Sequence, residues 1–157
     1  MRLLLRANAH RSLDTGATEI AASPDTPLRE RWQWHVRLHD EAPALAPDAL
    51  SATVARGDGT SSLLEVSADP GVARPVVELL EVAARAQVRR TPDELVLLLV
   101  NRGAALVEQR HLLAELDAMV FEGDDPLEVS VDSAHGPLEV AVVRLRPAVA
   151  RPLAWVP

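Results

Sequence analysis

Cysteine is absent from the 157 residues, which removes disulfides, thiolate catalysis and cysteine-based zinc sites together. Such a chain suits a reducing compartment. Lysine is absent as well, so all 16 basic residues are arginine; alongside heavy Ala, Pro and Leu usage this reads as nucleotide-composition bias rather than chemistry. No basic block occurs, and 23 acidic residues set the formal charge at -7. Sequence-independent nucleic-acid binding needs clustered cations to displace counterions, so a nucleic-acid partner is not expected. Long apolar runs are missing too. The opening MRLLLRANAHR is too short in its apolar part for a signal-peptide core and lacks a small-residue cleavage pattern. No later run reaches the length of a membrane-spanning helix. The expectation is a cytoplasmic protein with no membrane partner. What is present is 48% apolar residues, enough for one compact domain with a real core.

Period-two alternation dominates the C-terminal half. In PLEVSVDS, Leu127, Val129 and Val131 share one face while Glu128, Ser130 and Asp132 share the other, the pattern of a half-buried strand. Leu138, Val140 and Val142 repeat it, and SAHGP between them supplies Gly136 and Pro137 as turn residues, so the pair reads as an antiparallel hairpin. Val143 and Leu145 fall on the opposite phase. The last strand is therefore either buried on both faces or bulged near Val142, and the bulge is the preferred reading. Leu95–Val100 is an unbroken apolar run, that of a strand covered on both sides, with NRG read as the turn after it. DAMVF is a further strand, closed by a turn at EGDDP. RLLLRA, ATEIAA and RWQWHVRLH continue the style upstream, separated by SLDTG and SPDTP, with ARGDGTSS and DPG as later turns. Strands recurring about every ten residues point to a sandwich or barrel.

Two segments fit this poorly. Residues 75–90 place apolar side chains at helical spacing behind Pro75, a residue suited to a first helical position. Residues 104–119 are similarly open between strand and helix.

The segments HRSLDTGATEIAA, WQWHVRLHDEA, LLAELDAMVFEGDDPLEVSV and AVVRLRP, in that order, resemble the HutD/Ves family of cupin-like proteins. Glu19 and Ile20 match the family's Glu-Ile, Trp34 and His35 match its Trp-Arg, and LDAMVF resembles its Asp-Ala strand. His10 to Thr15 stand where the family carries a Trp-basic-Asn-Gly-Gly-Gly loop, so the glycine loop is missing here. The resemblance implies an all-β, cupin-like double β-barrel or sandwich (bicupin-like) in a single domain, with approximate halves 1–72 and 73–147 and a Pro-rich tail, 148–157, that packs Trp155. It also implies strands in both open segments.

The most suggestive constellation is WQWHVRLH. Alternation puts Trp32, Trp34, Val36 and Leu38 on one face and Gln33, His35, Arg37 and His39 on the other. If that polar face lines a barrel mouth, His35, Arg37 and His39 grip a carboxylate, with Arg37 bidentate. The competing reading is a face that simply meets water. Glu19, kept in the family motif, joins the candidate ligand-binding set of Glu19, His35, Arg37 and His39. No metal or other cofactor is expected: typical cupins use His-x-His, which never occurs here, and Val36 stands where a zincin helix would carry Glu after its first His. His10, His111 and His135 are isolated, Asp117 suits a turn or rim, and Arg56-Gly57-Asp58 suits a hairpin turn. There is no Gly-x-Ser-x-Gly elbow and no phosphate loop.

The leading functional reading is a non-enzymatic small-molecule-binding or regulatory protein, with the family's link to histidine utilisation implying a small carboxylate or amino-acid derivative as ligand. The alternatives are a cupin-superfamily isomerase or hydrolase using Glu19 and His35 as acid and base, and a degenerate structural or interaction module. Cupin-like proteins often dimerise through edge strands, which need covering, so the resemblance leaves two candidate covers, a homodimer partner and the chain's own Pro-rich tail.

Overall fold

The computed structural model describes residues 3–23 and 33–149; Trp32 and Trp155 lie outside them. Among the described residues there is no α-helix, only a 3-10 turn at Ala7–Ala9. Twelve strands follow the chain: β1 (Leu3–Leu5), β2 (Arg11–Ser12), β3 (Thr18–Ala22), β4 (Trp34–His39), β5 (Leu50–Ala55), β6 (Ser61–Ala68), β7 (Ala73–Val82), β8 (Arg85–Arg89), β9 (Leu95–Val107), β10 (His111–Leu113), β11 (Ala118–Phe121) and β12 (Glu128–Pro147). They form two antiparallel sheets. One has five strands in the order β2-β3-β4-β6-β5; the other has seven, in the order β1-β11-β9-β12-β7, with β10 added to β9 and β8 to β12. Among the described residues no helix is long and apolar enough to cross a membrane.

Two cores result, and β9 and β12 feed both. Leu95, Leu97, Leu99, Ala141, Val143 and Leu145 pack against Val36, Leu64 and Val66 of the five-stranded sheet. Val96, Leu98, Val100, Val140 and Val142 turn the other way, onto Val107, Leu113, Phe121, Val129 and Val131. A strand buried on both faces has no polar phase, which is why Leu95–Val100 reads as unbroken apolar sequence. Each such side chain contributes about 1.5–3 kcal/mol by leaving water, so this central pair is the chief stabilising element.

Three expectations are corrected here. SAHGP does not reverse the chain: Glu128–Pro147 is one strand, and both of its ends pair with β9, through Val131↔Val107 and Val140↔Val100. NRG likewise bends β9 instead of ending it. The register is unbroken from Val140 through Leu145, so there is no bulge at Val142; the shifts fall between Ser133 and Val140. Gly103 (φ +88) and Gly136 (φ +60) supply left-handed backbone that other residues enter at a cost. These kinks fold the seven-stranded sheet back over the second core. A Cβ on Gly103 would run into the Pro137 carbonyl oxygen and sit 3.2 Å from Leu138 Cα, so the crossing of the two bends requires glycine.

The reversal expected at NRG comes later, at Glu108–Arg110, where Glu108 (φ 51) and Gln109 (φ 55) take the left-handed conformation. Both helix-ambiguous segments are strands, as the family resemblance implies. Residues 75–90 form β7 and β8, with Pro75 on β7, the last strand of its sheet, where a missing N–H is tolerated. Residues 104–119 end β9 and form β10 and the start of β11.

Candidate functional site on the outer face of the five-stranded sheet

Trp34, Val36 and Leu38 enter the core between the sheets, so alternation turns His35, Arg37 and His39 to the opposite, outer face of β4. Strand register then lines up a row of side chains across the sheet: Arg11 opposite Glu19, Glu19 opposite Arg37, Arg37 opposite Glu65, and Glu65 opposite Ser51. Directly opposed unlike charges stabilise neighbouring strands. A register shift between Glu19 and Ala21 allows Ile20 and Ala21 both to be buried while Glu19 stays on the polar face.

The contacts within the row are specific. Arg37 donates from Nε (3.1 Å) and Nη2 (3.0 Å) to Glu19 Oε2. His35 Nε2 lies 3.0 Å from Glu65 Oε1, and His39 Nε2 lies 2.5 Å from Glu65 Oε2. Glu65 is only 6% exposed. Burial works against its ionisation, but the hydrogen bonds and charges of His35 and His39 outweigh that and hold its carboxyl below the usual 4.5.

The fold thus brings all four candidate residues onto one face, in two linked pairs rather than one convergent set. Glu19 holds Arg37, while His35 and His39 are held by Glu65, a residue that sequence reasoning passed over. Its signal was a lone acid on the polar phase of SSLLEVSA, between Leu64 and Val66. Arg37 spends one side of its guanidinium on Glu19. The end-on edge, with one hydrogen each on Nη1 and Nη2, has no acceptor among the described residues. That edge matches a carboxylate in width and donor direction. Glu19 and His35, the acid–base pair an enzyme would use, bond to different partners. The two Nε2 atoms are both committed to Glu65, and no metal-holding group of three or more His, Asp or Glu is found among the described residues.

The remaining polar candidates have structural partners. Asp117 is 4% exposed and accepts from Ala7 N (2.8 Å), Ala114 N (3.0 Å) and Arg6 Nη1 (2.6 Å), tying the N-terminal segment to the β10–β11 loop. Burial opposes its ionisation, and those donors together lower its pKa. His10 Nε2 lies 2.6 Å from the Leu116 carbonyl. Arg56-Gly57-Asp58 forms the β5–β6 hairpin turn, closed by Arg56 N to Thr60 O at 2.9 Å; Arg56 also donates to Glu115 at 3.0 Å.

No protein-family model matches the sequence, and no curated protein does. Solved structures do match. PA5104, a conserved protein of unknown function from Pseudomonas aeruginosa PAO1, has a TM-score of 0.65 over 94% of this chain and 99% of its own, at 18% identity. HutD from Pseudomonas fluorescens SBW25 has a TM-score of 0.57 over 95% of this chain and 100% of its own, at 15% identity. At 94–95% coverage of this chain, these matches show that it shares the fold of PA5104 and HutD, the latter named for the family that its own motifs resemble.

Proposed function

We propose that this protein binds a small carboxylate, without turning it over, on the outer sheet face centred on Arg37. The observation that carries the reading is the unspent end-on edge of the Arg37 guanidinium, held in place from behind by Glu19 and flanked on its own strand by His35 and His39, each fixed by Glu65. An arginine oriented in advance loses little conformational entropy on binding. Two charge-assisted hydrogen bonds, each worth about 1.5–3 kcal/mol, correspond to a dissociation constant on the order of 1 mM. The reading is non-enzymatic because Glu19, the candidate base, is occupied in orienting Arg37.

Titration of the folded protein with formate, acetate and propionate, followed by amide chemical shifts, tests it. Formate is the smallest of these probes, and it is the condition named for the HutD structure. Shifts are expected on β3, β4 and β6, and Arg37→Gln abolishes them. Shifts that persist in Arg37→Gln, or none at tens of millimolar ligand, would remove the proposal. Conversion of any of the three ligands would replace it with an enzyme.

A further inference from the structure

A second place in the fold carries charges without partners among the described residues, and it lies away from the Arg37 face. The two long strands bend beside one another at Gly103 and at Ser133–Gly136, and the β7–β8 turn passes alongside. Between them is an open groove of about 690 Å³. Its apolar walls include Val82, Ala84, Pro137 and Leu138, and two charged residues, Arg102 and Glu81, also line it.

Arg102 and Glu81 flank the same residue. Glu139 on β12 stands opposite Glu81 on β7 and opposite Arg102 on β9. Glu139 is 8% exposed and its Oε1 accepts from Asn101 Nδ2 at 2.6 Å; it makes no hydrogen bond or ion pair to Arg102. Arg102 has no ion pair or hydrogen bond to any described residue, and its Nε is buried without an acceptor. A guanidinium N–H in that state costs on the order of 1–3 kcal/mol, and fully orphaned buried donors are uncommon enough to require a cause. Glu81 is exposed and has no hydrogen bond or ion pair to a described residue.

We propose that this groove binds a small dipolar amino carboxylate, its carboxylate on Arg102 and its ammonium on Glu81, with the intervening carbons against Ala83, Ala84 and Pro137. Two strand spacings separate the Glu81 and Arg102 backbones, roughly 10 Å. That span admits a ligand with two or three carbons between its charges. The guanidinium has no internal acceptor to hold it, so a rotation of its head suffices to present Nε and Nη to one carboxylate. Opposite unpaired charges on an apolar groove select against simple carboxylates, which would meet Glu81, and against simple amines, which would meet Arg102. This inference is independent of the Arg37 site.

The test is a chemical-shift titration of the full chain with β-alanine, propionate and propylamine. β-Alanine is expected to shift the amides of Ala83, Ala84, Gly103 and Gly136, and to bind at least fivefold more tightly than propionate or propylamine. Arg102→Gln weakens β-alanine at least tenfold. Glu81→Gln, at an exposed position that leaves the fold intact, brings β-alanine down to the propionate level and thereby tests the proposal even if Arg102→Gln does not fold. Arg37→Gln leaves all of these shifts unchanged. The proposal is overturned if β-alanine causes no shifts at the groove, if Glu81→Gln leaves the preference for β-alanine intact, or if the shifts vanish in Arg37→Gln.

Discussion

Replacing Glu65 with Gln keeps the size and shape of the side chain and removes the charge on which His35 and His39 converge. The carboxylate receives one imidazole nitrogen on each oxygen, at 3.0 and 2.5 Å. An amide retains one oxygen for one of them and turns an NH2 toward the other, so one charge-assisted hydrogen bond is lost and that imidazole either faces a donor or shifts its proton to Nδ1 to accept a neutral bond. Such a bond is worth about 1.5–3 kcal/mol. Solvent screening reduces this little at His39 and Glu65, whose side chains are 10% and 9% exposed, and more at His35, at 22%. The expected loss is about 2 kcal/mol at neutral pH, or about 4–8 °C in Tm for a domain of this size. Acid adds a second test. The folded-state pKa of Glu65 lies below its usual 4.5, so its contribution is fully present above the unfolded carboxyl value and disappears as pH falls through the folded one. The gap between wild type and Glu65→Gln, measured as the urea midpoint from pH 7 down to pH 3, should therefore be widest at neutral pH and close on acidification. Equal midpoints at pH 7, or a gap that stays constant down to pH 3, would refute the role assigned to Glu65.

Three further outcomes follow from the same structure. Arg90 is 7% exposed and donates to the carbonyls of Pro126, Thr91, Glu94, Gly123 and Asp125 at 2.5–3.2 Å; Arg90→Ala leaves all five short of a partner and should cost about 3 kcal/mol or more in urea denaturation, a loss under about 1 kcal/mol counting against it. Gly59 and Gly103 share a left-handed φ (+85 and +88), but an added Cβ meets open space at Gly59 and the Pro137 carbonyl at Gly103. Gly59→Ala should cost about 1–2 kcal/mol and Gly103→Ala clearly more; equal costs would show that the strand crossing is not tight. Asp117→Asn should raise amide exchange in Leu3–Leu5 relative to β9 and reduce the loss of stability below the ordinary carboxyl range, because the depressed pKa of Asp117 contributes above that range and not beneath it. Unchanged exchange in Leu3–Leu5 would mean that Asp117 does not hold the N-terminal strand.

The strands with one wet face were legible because alternation is a local property. ATEIAA and WHVRLH form where the sequence pattern puts them, whereas DAMVF, whose strand is buried at every position, is marked only by the turns that bound it. The errors cluster where one physical signal serves two structures. Gly-Pro and Gly after polar residues mark a reversal in a hairpin and a bend in a long strand alike, and only pairing with a distant strand separates them. Both ends of β12 lie on β9, so Gly136 and Gly103 bend where they were expected to turn. Residues 75–90 stay open between helix and strand on their own pattern for a related reason. Val77 faces the core between the sheets, whereas Leu80 and Val82 face the other core, and apolar side chains distributed to two faces imitate helical spacing. The true reversal at Glu108 and Gln109 carries none of the Asn-Gly chemistry that announces such turns.

The candidate face was half legible for the same reason. Alternation along β4 is enough to gather His35, Arg37 and His39, but what they do depends on the strands beside them, which the chain supplies from residues 18–22 and 61–68. Glu19 entered the set through the family motif; Glu65 had neither motif nor unusual context. With both acids placed, the meaning of the face changes. Arg37 stands between two carboxylates in register, yet only Glu19 bonds to it, because Glu65 is taken by the two histidines. Had Glu65 also paired with Arg37, four of the five guanidinium hydrogens would be spent inside the protein, both carboxylate-matching edges among them, and the row would be purely structural. The histidines leave the end-on edge of Arg37 unclaimed, and they rather than Glu19 therefore decide whether this face can hold an anion.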